Sequence, residues 1–355
     1  MYGSIHTHVE SDKDTMNLIP DAISEFRKAG IKKIAITEHG SMASYEDLRA
    51  EAKKYDDIDV IPGCEIYFDY YKSILEKVIA NNNLDIPEED KDALIEIAKK
   101  DNHMILFAKN INGYKQLCKI VTESNKNVIN NKPIVTLDIL KKYAKSTDLV
   151  CSSACIGGPF GHLLGLDKYD LQTKLDNAKA VLDATDFFEH REKINRISTL
   201  VNNLKEENID LQSQIKLELK KPKADKDLEK IKTLRATLAD NKDTIKNAKI
   251  LLKDSEFYIK SNGLTRSGTT YTNNLKKYEF LDKYQNVNNL VAIEWANELK
   301  ELFHNNFYFE LQNHGLSIEK EIYNNLIELA YTIKHPNFIA SNDIHVCKRK
   351  NDPSL

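Results

Sequence analysis

At 355 residues the chain is long enough for two average domains or one large barrel. Its 51 Lys+Arg stand against 54 Asp+Glu, a net charge of −3, so no chain-wide basic footprint advertises nucleic acid and any DNA contact must be local. Hydrophobic residues make up 41%, and no apolar run reaches the length of about eighteen residues that a membrane span needs, which excludes a membrane-spanning or a disordered chain. Met1-Tyr2-Gly3-Ser4 leads straight into Ile5-His6 with no charged and then apolar leader, so no signal peptide is expected. Five cysteines, an odd number and widely spread, point to a reducing cytoplasm rather than a disulfide framework.

Up to about residue 190, short apolar runs alternate with amphipathic helices. The spacing predicts a helix from Ile19 to Ala29 closed by Gly30, then a strand at Ile34-Ala35-Ile36-Thr37. Val60-Ile61-Pro62, Met104-Ile105-Leu106-Phe107 and Asp148-Leu149-Val150-Cys151 repeat the arrangement, which implies a parallel α/β sheet or barrel. From Ile194 to Leu252 the sequence turns charged, nearly glycine-free and heptad-patterned. Ile194, Ile197, Val201, Leu204, Asn208, Leu211 and Ile215 step by three and four, as do Ile231, Leu234, Leu238, Asn241, Ile245, Ala248 and Leu252. Pro222 breaks the helix between the two arms. If the arms fold back antiparallel, Ile215 faces Leu234, Leu211 faces Leu238, Leu204 faces Ile245 and Asn208 faces Asn241. A buried Asn is costly beside an apolar partner but fixes register beside another Asn. An inserted helical hairpin over 191–260 is therefore expected between two barrel segments, 1–190 and 261–355. Ser261 to Thr272, rich in Ser, Gly and Thr, reads as a loop; Phe307-Tyr308-Phe309-Glu310-Leu311 and Phe338-Ile339-Ala340-Ser341 read as strands flanking a helix from Ile318 to Ile333.

Five of the ten histidines, with several carboxylates and one cysteine, stand next to predicted strands. His6-Thr7-His8 follows the first strand, and alternation there points both imidazoles to one side, as two ligands of one metal require. Glu38-His39-Gly40 ends the second strand and Gly63-Cys64-Glu65 the third, while His103 opens the fourth. Cys155 follows the strand at Val150, and Asn342-Asp343-Ile344-His345 ends the last, with Asp343 and His345 again two apart. In parallel α/β architectures such groups gather at one end of the strands, so these motifs are expected to converge on one pocket. Nitrogen, carboxylate and one soft thiolate suit zinc, iron or manganese. Cys64, Cys118 and Cys347 read as small buried hydrophobes, and Cys151 as pointing away from the pocket. His162, His190, His304, His314 and His335 lack ligand spacing and are expected to be surface or hydrogen-bonded residues.

The motifs occur in a recognisable order: His6-Thr7-His8, Thr37-Glu38-His39-Gly40, Gly63-Cys64-Glu65-Ile66-Tyr67, and His103 with Leu106-Phe107-Ala108-Lys109-Asn110. Gly113-Tyr114 with Leu117-Cys118-Lys119, Ser153-Ala154-Cys155-Ile156-Gly157-Gly158 and Asn342-Asp343-Ile344-His345 complete it. This order resembles the PHP (polymerase and histidinol phosphatase) domain. Ala108-Lys109-Asn110, Gly113-Tyr114, Leu117-Cys118-Lys119 and the stretch Phe307 to Gly315 are similar to its polymerase branch, the N-terminal PHP domain of bacterial and phage DNA polymerase III alpha subunits. The resemblance covers residues 1 to about 190 and about 300 to 350, not the hairpin.

The resemblance implies a distorted (β/α)7 barrel and a trinuclear site whose nine ligands match His6, His8, Asp14, His39, Glu65, His103, Cys155, Asp343 and His345. Asp14 lies one residue closer to the first motif than the family's spacing, and Asp12 competes for its place. The implied activity is a phosphoesterase with two or three Zn, Mn or Fe ions that removes nucleotides from a DNA 3′ end in proofreading. A stand-alone phosphatase on a small phosphate ester, or a metal-stabilised scaffold whose hairpin docks a polymerase subunit or other replication protein, are the other two expectations. The family's polymerase palm is not expected within residues that end at Asp352-Pro353-Ser354-Leu355. The chain is then either part of a longer or split DNA-directed DNA polymerase or a free-standing PHP protein.

Overall fold

The computed structural model describes residues 3–9, 15, 17–98 and 102–345. The candidate ligand Asp14, its competitor Asp12, and Cys347 fall outside these residues. The chain divides into two compact units, residues 1–169 with 281–355, and residues 170–280.

The first unit is built on one curled sheet. Its opening elements are β1 (Gly3–Ser4), α1 (Ile19–Lys28), β2 (Lys33–Ile36), α2 (Tyr45–Ala52) and β3 (Asp59–Asp69). There follow α3 (Tyr71–Asn82), α4 (Glu88–Ala98), β4 (His103–Ala108), α5 (Ile111–Ser124), β5 (Val128–Ile129), β6 (Lys132–Thr136), α6 (Leu137–Tyr143), β7 (Leu149–Ser152) and α7 (Pro159–Leu163). Helix α1 forms because Ile19, Ala22, Ile23 and Phe26 make one buried stripe, and it stops where Gly30 takes a φ of +73°. After the second unit the chain returns through α12 (Gln285–Phe303), β8 (Phe307–Leu311), α13 (Ser317–Thr332) and β9 (Phe338–Ala340).

The strand order is β1-β2-β3-β4-β7-β8-β9, with β6 also pairing β3. Beyond the ends of β1 and β9, Thr7 and Ile344 form a parallel bridge. His8 N–H donates to Ile344 O and Ile344 N–H to His6 O, both at 3.0 Å, so the two extremes of the sheet meet at the first and last histidine motifs.

Three sequence expectations are corrected. The sheet is not all parallel: β4 runs antiparallel to both β3 and β7. This reversal places His103, the first residue of β4, beside the far half of β3 (Tyr67↔His103), so a residue that opens its strand joins residues that lie late in theirs. Glu65 does not end a strand but sits inside β3, which continues through Pro62 and Gly63 to Asp69. Pro62 is accommodated where two ladders change over: it is the last residue of β3 paired with β2, opposite Ile36, and the antiparallel ladder to β4 begins only at Gly63. The third correction falls in the second unit: much of the expected loop Ser261–Thr272 is helical, as the first turns of α11 (Leu264–Lys283).

Inward alternation along β3 and β4 explains how one face serves two purposes. Ala35, Ile105, Phe107 and Ala154 form a buried cluster with Ile5, Ile61 and Val150. On those same strand faces, at alternate positions, stand Glu65 and His103. On the outer side, Trp295 of α12 stacks between Phe68 (4.8 Å) and Tyr70 (4.9 Å) and is fully buried.

The second unit holds two long helices, α9 (Phe187–Lys220) and α10 (Leu228–Ser261), that pack on each other, with α8 (Leu166–Asp183) leading in and α11 leading out. Val201, Asn208, Leu211 and Ile215 on α9, and Ile231, Asn241 and Ala248 on α10, are buried. At the turn between the helices, the buried Glu218 carboxylate accepts from Asp227 N–H (3.1 Å) and pairs with Lys221 (2.8 Å), while the Asp227 side chain caps α10 through Lys230 N–H (2.9 Å). Leu182, Phe187, Ile259 and Leu264 close the other end. Gly268 lies inside α11 against the Phe187 ring, where a Cβ would stand 2.1 Å from Cζ. This glycine answers to close packing and not to a turn, which is why a composition typical of loops folds as a helix.

Candidate metal centre

Two backbone ladders deliver the side chains. The bridge of Thr7 to Ile344 carries His6 and His8 on one flank and Asp343 and His345 on the other. A second bridge joins His39 to Glu65: Glu65 N–H donates to Glu38 O at 3.1 Å, and Gly40 N–H to Glu65 O at 2.7 Å. Gly40, at φ +63°, turns the chain immediately after His39, and a Cβ there would lie 2.6 Å from Pro133 Cγ. Asp343 at φ +47° and Ala154 at φ +59°, next to Cys155, are non-glycine residues held in the left-handed region. Ala in particular takes that conformation only when its surroundings impose it, a feature concentrated at functional sites.

The side chains form two overlapping trios able to hold a metal ion, His6–His8–Asp343 and His8–His39–Glu65. Asp343 Oδ1 lies 3.1 Å from His6 Nε2, 3.4 Å from His8 Nε2 and 3.1 Å from His345 Nε2. Glu65 Oε2 lies 3.3 Å from His6 Nε2, 3.2 Å from His8 Nε2 and 3.3 Å from His39 Nε2, and Glu65 Oε1 is 3.4 Å from His103 Nδ1. The rings layer as well: His8 stacks on His39 at 4.5 Å and on His345 at 4.3 Å.

These spacings fit a metal. Ligand atoms about 2.0–2.2 Å from a tetrahedral cation stand roughly 3.3–3.5 Å from one another. Asp343 Oδ1 and Glu65 Oε1 are buried and meet no hydrogen bond of good geometry despite the imidazoles around them. Several nitrogens crowding one unsatisfied oxygen is an arrangement that a shared cation relieves. Burial alone would lower the pKa of His6, but the Glu310 and Glu65 carboxylates overcome it and raise it well above the ordinary value. Burial likewise opposes ionisation of Glu65 and Asp343, yet the surrounding imidazoles hold both carboxyls below the usual range. Cys155 is pushed up by burial and then by the charges of Glu65 and Asp343, so its thiol feels the same cluster. His6 and His8 have no side-chain exposure and His39, His103 and Asp343 are only slightly exposed, whereas His345, at 32%, is the most open of these groups.

The structure thus gathers His6, His8, His39, Glu65, His103, Asp343 and His345 by contact, whereas Cys155 feels the charges of Glu65 and Asp343 but stands in neither trio. Of the histidines expected to lie elsewhere, His162 pairs with Asp167 (3.0 Å), His314 with Glu319 (2.7 Å) and His335 with Phe307 O (2.9 Å), and His190 stacks on Tyr258. Cys64 is buried in line with expectation, but Cys118 is only half-buried. Glu310, which no ligand-spaced motif in the sequence contains, joins this cluster. It bonds His6 Nδ1 at 2.7 Å and Ser152 Oγ at 2.5 Å, with Gln312 and Ser341 completing its shell. Only its place beside Gln312 in a strand ending next to the predicted pocket could have drawn attention to it.

A model of the PHP domain family matches residues 4–197. The chain belongs to the PHP domain family. Members of that family are in general metal-dependent phosphoesterases that bind divalent metals. DNA polymerase III subunit alpha of Borreliella burgdorferi is 32% identical over 169 residues, which are 47% of this chain and 13% of that protein. The subunits of the same name from Chlamydia pneumoniae (26% over 153 residues, 43% of this chain and 11% of the relative) and Treponema pallidum (25% over 163 residues, 45% and 12%) match similarly. The matched region therefore spans about an eighth of each relative's length. No helix among the described residues is long and apolar enough to cross a membrane.

Proposed function

We propose that this PHP domain is a metal-dependent phosphoesterase that removes nucleotides from a DNA 3′ end, in the setting of a DNA polymerase III alpha-type protein. The observation that carries the reading is the pair of trios sharing His8, with five imidazoles around two carboxylates at ligand-to-ligand spacing. His6, His8, Asp343 and His345 form one set of donors and His8, His39, Glu65 and His103 the other, with Cys155 and Asp14 completing the proposed nine. We read the curled sheet as the distorted seven-stranded barrel of the family, and α9 with α10 as an inserted antiparallel hairpin available to a replication partner.

Two or three divalent cations held by these donors would supply Lewis acidity for activating a water and neutralising charge on phosphate oxygens. The chain does the rest. Ile61, Ile105, Phe107 and Val150 pack on the strand faces beside Glu65 and His103 and give the donors an apolar wall on that side. The partly exposed edge at His345 is the way in for a phosphodiester.

Digestion of 3′-labelled DNA with Mn²⁺ or Zn²⁺ titrated in, run beside hydrolysis of a small phosphomonoester, tests the reading. Release of mononucleotides from the 3′ end is expected. Turnover of the small ester alone would move the assignment to the phosphatase branch, and absence of both activities in a folded, metal-loaded protein would leave the scaffold role.

A further inference from the structure

Glu310 sits in β8 at 1% exposure, 304 positions away from His6 in sequence. Its two oxygens collect four donors, one each from the ends of β1, β7, β8 and β9. Oε1 accepts from His6 Nδ1 at 2.7 Å, from Gln312 Nε2 at 2.9 Å and from the Ser341 hydroxyl; Oε2 accepts from Ser152 Oγ at 2.5 Å. Its own backbone N–H is held by Ser153 Oγ at 2.8 Å. A carboxylate so fully engaged is poorly placed to be a further metal ligand, but it is well placed to dictate what His6 can do.

A proton on Nδ1 directed at Glu310 leaves Nε2 as the His6 atom that can carry a lone pair. That atom is the one 3.1 Å from Asp343 Oδ1 and 3.3 Å from Glu65 Oε2, where the two donor sets meet. We infer that Glu310 is a positioning residue. It fixes the His6 ring so that Nε2 is the ligating nitrogen, and its negative charge makes that imidazole a stronger donor. The inference rests on the metal-centre reading above and adds to it a residue that none of the ligand motifs contains. Ser152, Ser341 and Gln312 hold the carboxylate in turn, so the ends of β7, β8 and β9 all bear on the orientation of a ring that follows β1.

A simple strut would occupy the same place, so the test must separate holding the fold from acting through His6. Glu310→Gln keeps the volume and an acceptor oxygen but removes the charge. His6→Asn keeps a donor near the Nδ1 position while removing Nε2. Zn²⁺ affinity of the intact chain, measured by competition with a chromophoric chelator, is compared for the wild type, both single variants and the double variant, with the metal-free melting temperature as the folding control. Glu310→Gln is expected to weaken Zn²⁺ binding roughly 10- to 100-fold, the usual scale for a carboxylate behind a metal-bound histidine. In the His6→Asn background the same change should cost less than about twofold, because a residue that acts through another adds nothing once that one is gone. Unchanged affinity in Glu310→Gln, or an undiminished loss in the double variant, overturns the inference. Failure of the wild type to take up Zn²⁺ would overturn the metal-centre reading along with it, whereas uptake by the wild type that Glu310→Gln matches overturns only the role of Glu310.

Discussion

The sheet unit and the helical unit bury polar groups in opposite ways. In the sheet unit His6, His8, Glu65 and Glu310, each at most 1% exposed, converge so that charges and ring nitrogens meet one another. In the helical unit Asn208 and Asn241, both 8% exposed, interrupt an otherwise apolar seam, and Asn208 Oδ1 and Asn241 Nδ2 are left without hydrogen-bond partners. Isolated uncharged polar residues in a seam specify register at a cost in stability. A dense ionisable cluster costs far more than any fold requires, and such clusters are kept where charge is to be bound.

The largest effect is expected from substitution at the cluster. Glu65→Gln removes the carboxylate that touches His6, His8, His39 and His103, and hydrolysis of 3′-labelled DNA should fall at least about a hundredfold, the scale of a disrupted metal site. A comparable loss is expected for Asp14→Asn with little change for Asp12→Asn; the reverse result moves the ninth ligand to Asp12.

In the helical unit the effects should appear in stability alone. Replacing Asn208 by Leu is expected to leave the Asn241 amide beside an apolar chain and cost roughly 1–3 kcal/mol by chemical denaturation. Replacing both should recover that loss, and hydrolysis should stay within a factor of two or so of wild type in all three variants, since no ligand motif is touched. Strictly additive effects on stability would show that the two asparagines do not face each other. Gly268→Ala, whose Cβ would stand 2.1 Å from Phe187 Cζ, should cost about 1–3 kcal/mol through overpacking. The smallest effect is expected on the exposed face of α9: breaking the Arg196–Glu192 pair should change stability by no more than roughly 0.5 kcal/mol.

The two regions also differ in how far their sequence can be read. The histidine and carboxylate motifs were legible because each is a short string with ligand spacing at a strand end, and the seam because its period is written over 59 residues, from Ile194 to Leu252. What escaped depends on partners distant in sequence. Glu310 is one acidic residue in Phe307-Tyr308-Phe309-Glu310-Leu311, and nothing local reveals that His6 lies against it. The reversal of β4 is decided by the sheet and not by its own apolar run, and Pro62-Gly63, ordinarily a break, lies inside the longest strand, with Pro62 opposite Ile36 of β2 and Gly63 opposite Phe107 of β4. Gly268 resembles a loop glycine until the Phe187 ring is seen against it.

The buried cluster at His6, His8, Glu65 and Asp343 is proposed to hold metal. Its most direct test is elemental analysis of the intact chain together with thermal melting, before and after chelation and on readdition of Zn²⁺ or Mn²⁺. Because the donors come from both ends of the sheet and meet across the Thr7–Ile344 bridge, metal should hold that closure as well as the site. Two or three ions per chain are predicted, with a melting temperature that drops by several degrees on chelation and returns with metal. A chain that binds no metal, and whose melting curve is the same with and without chelator, would contradict the claim.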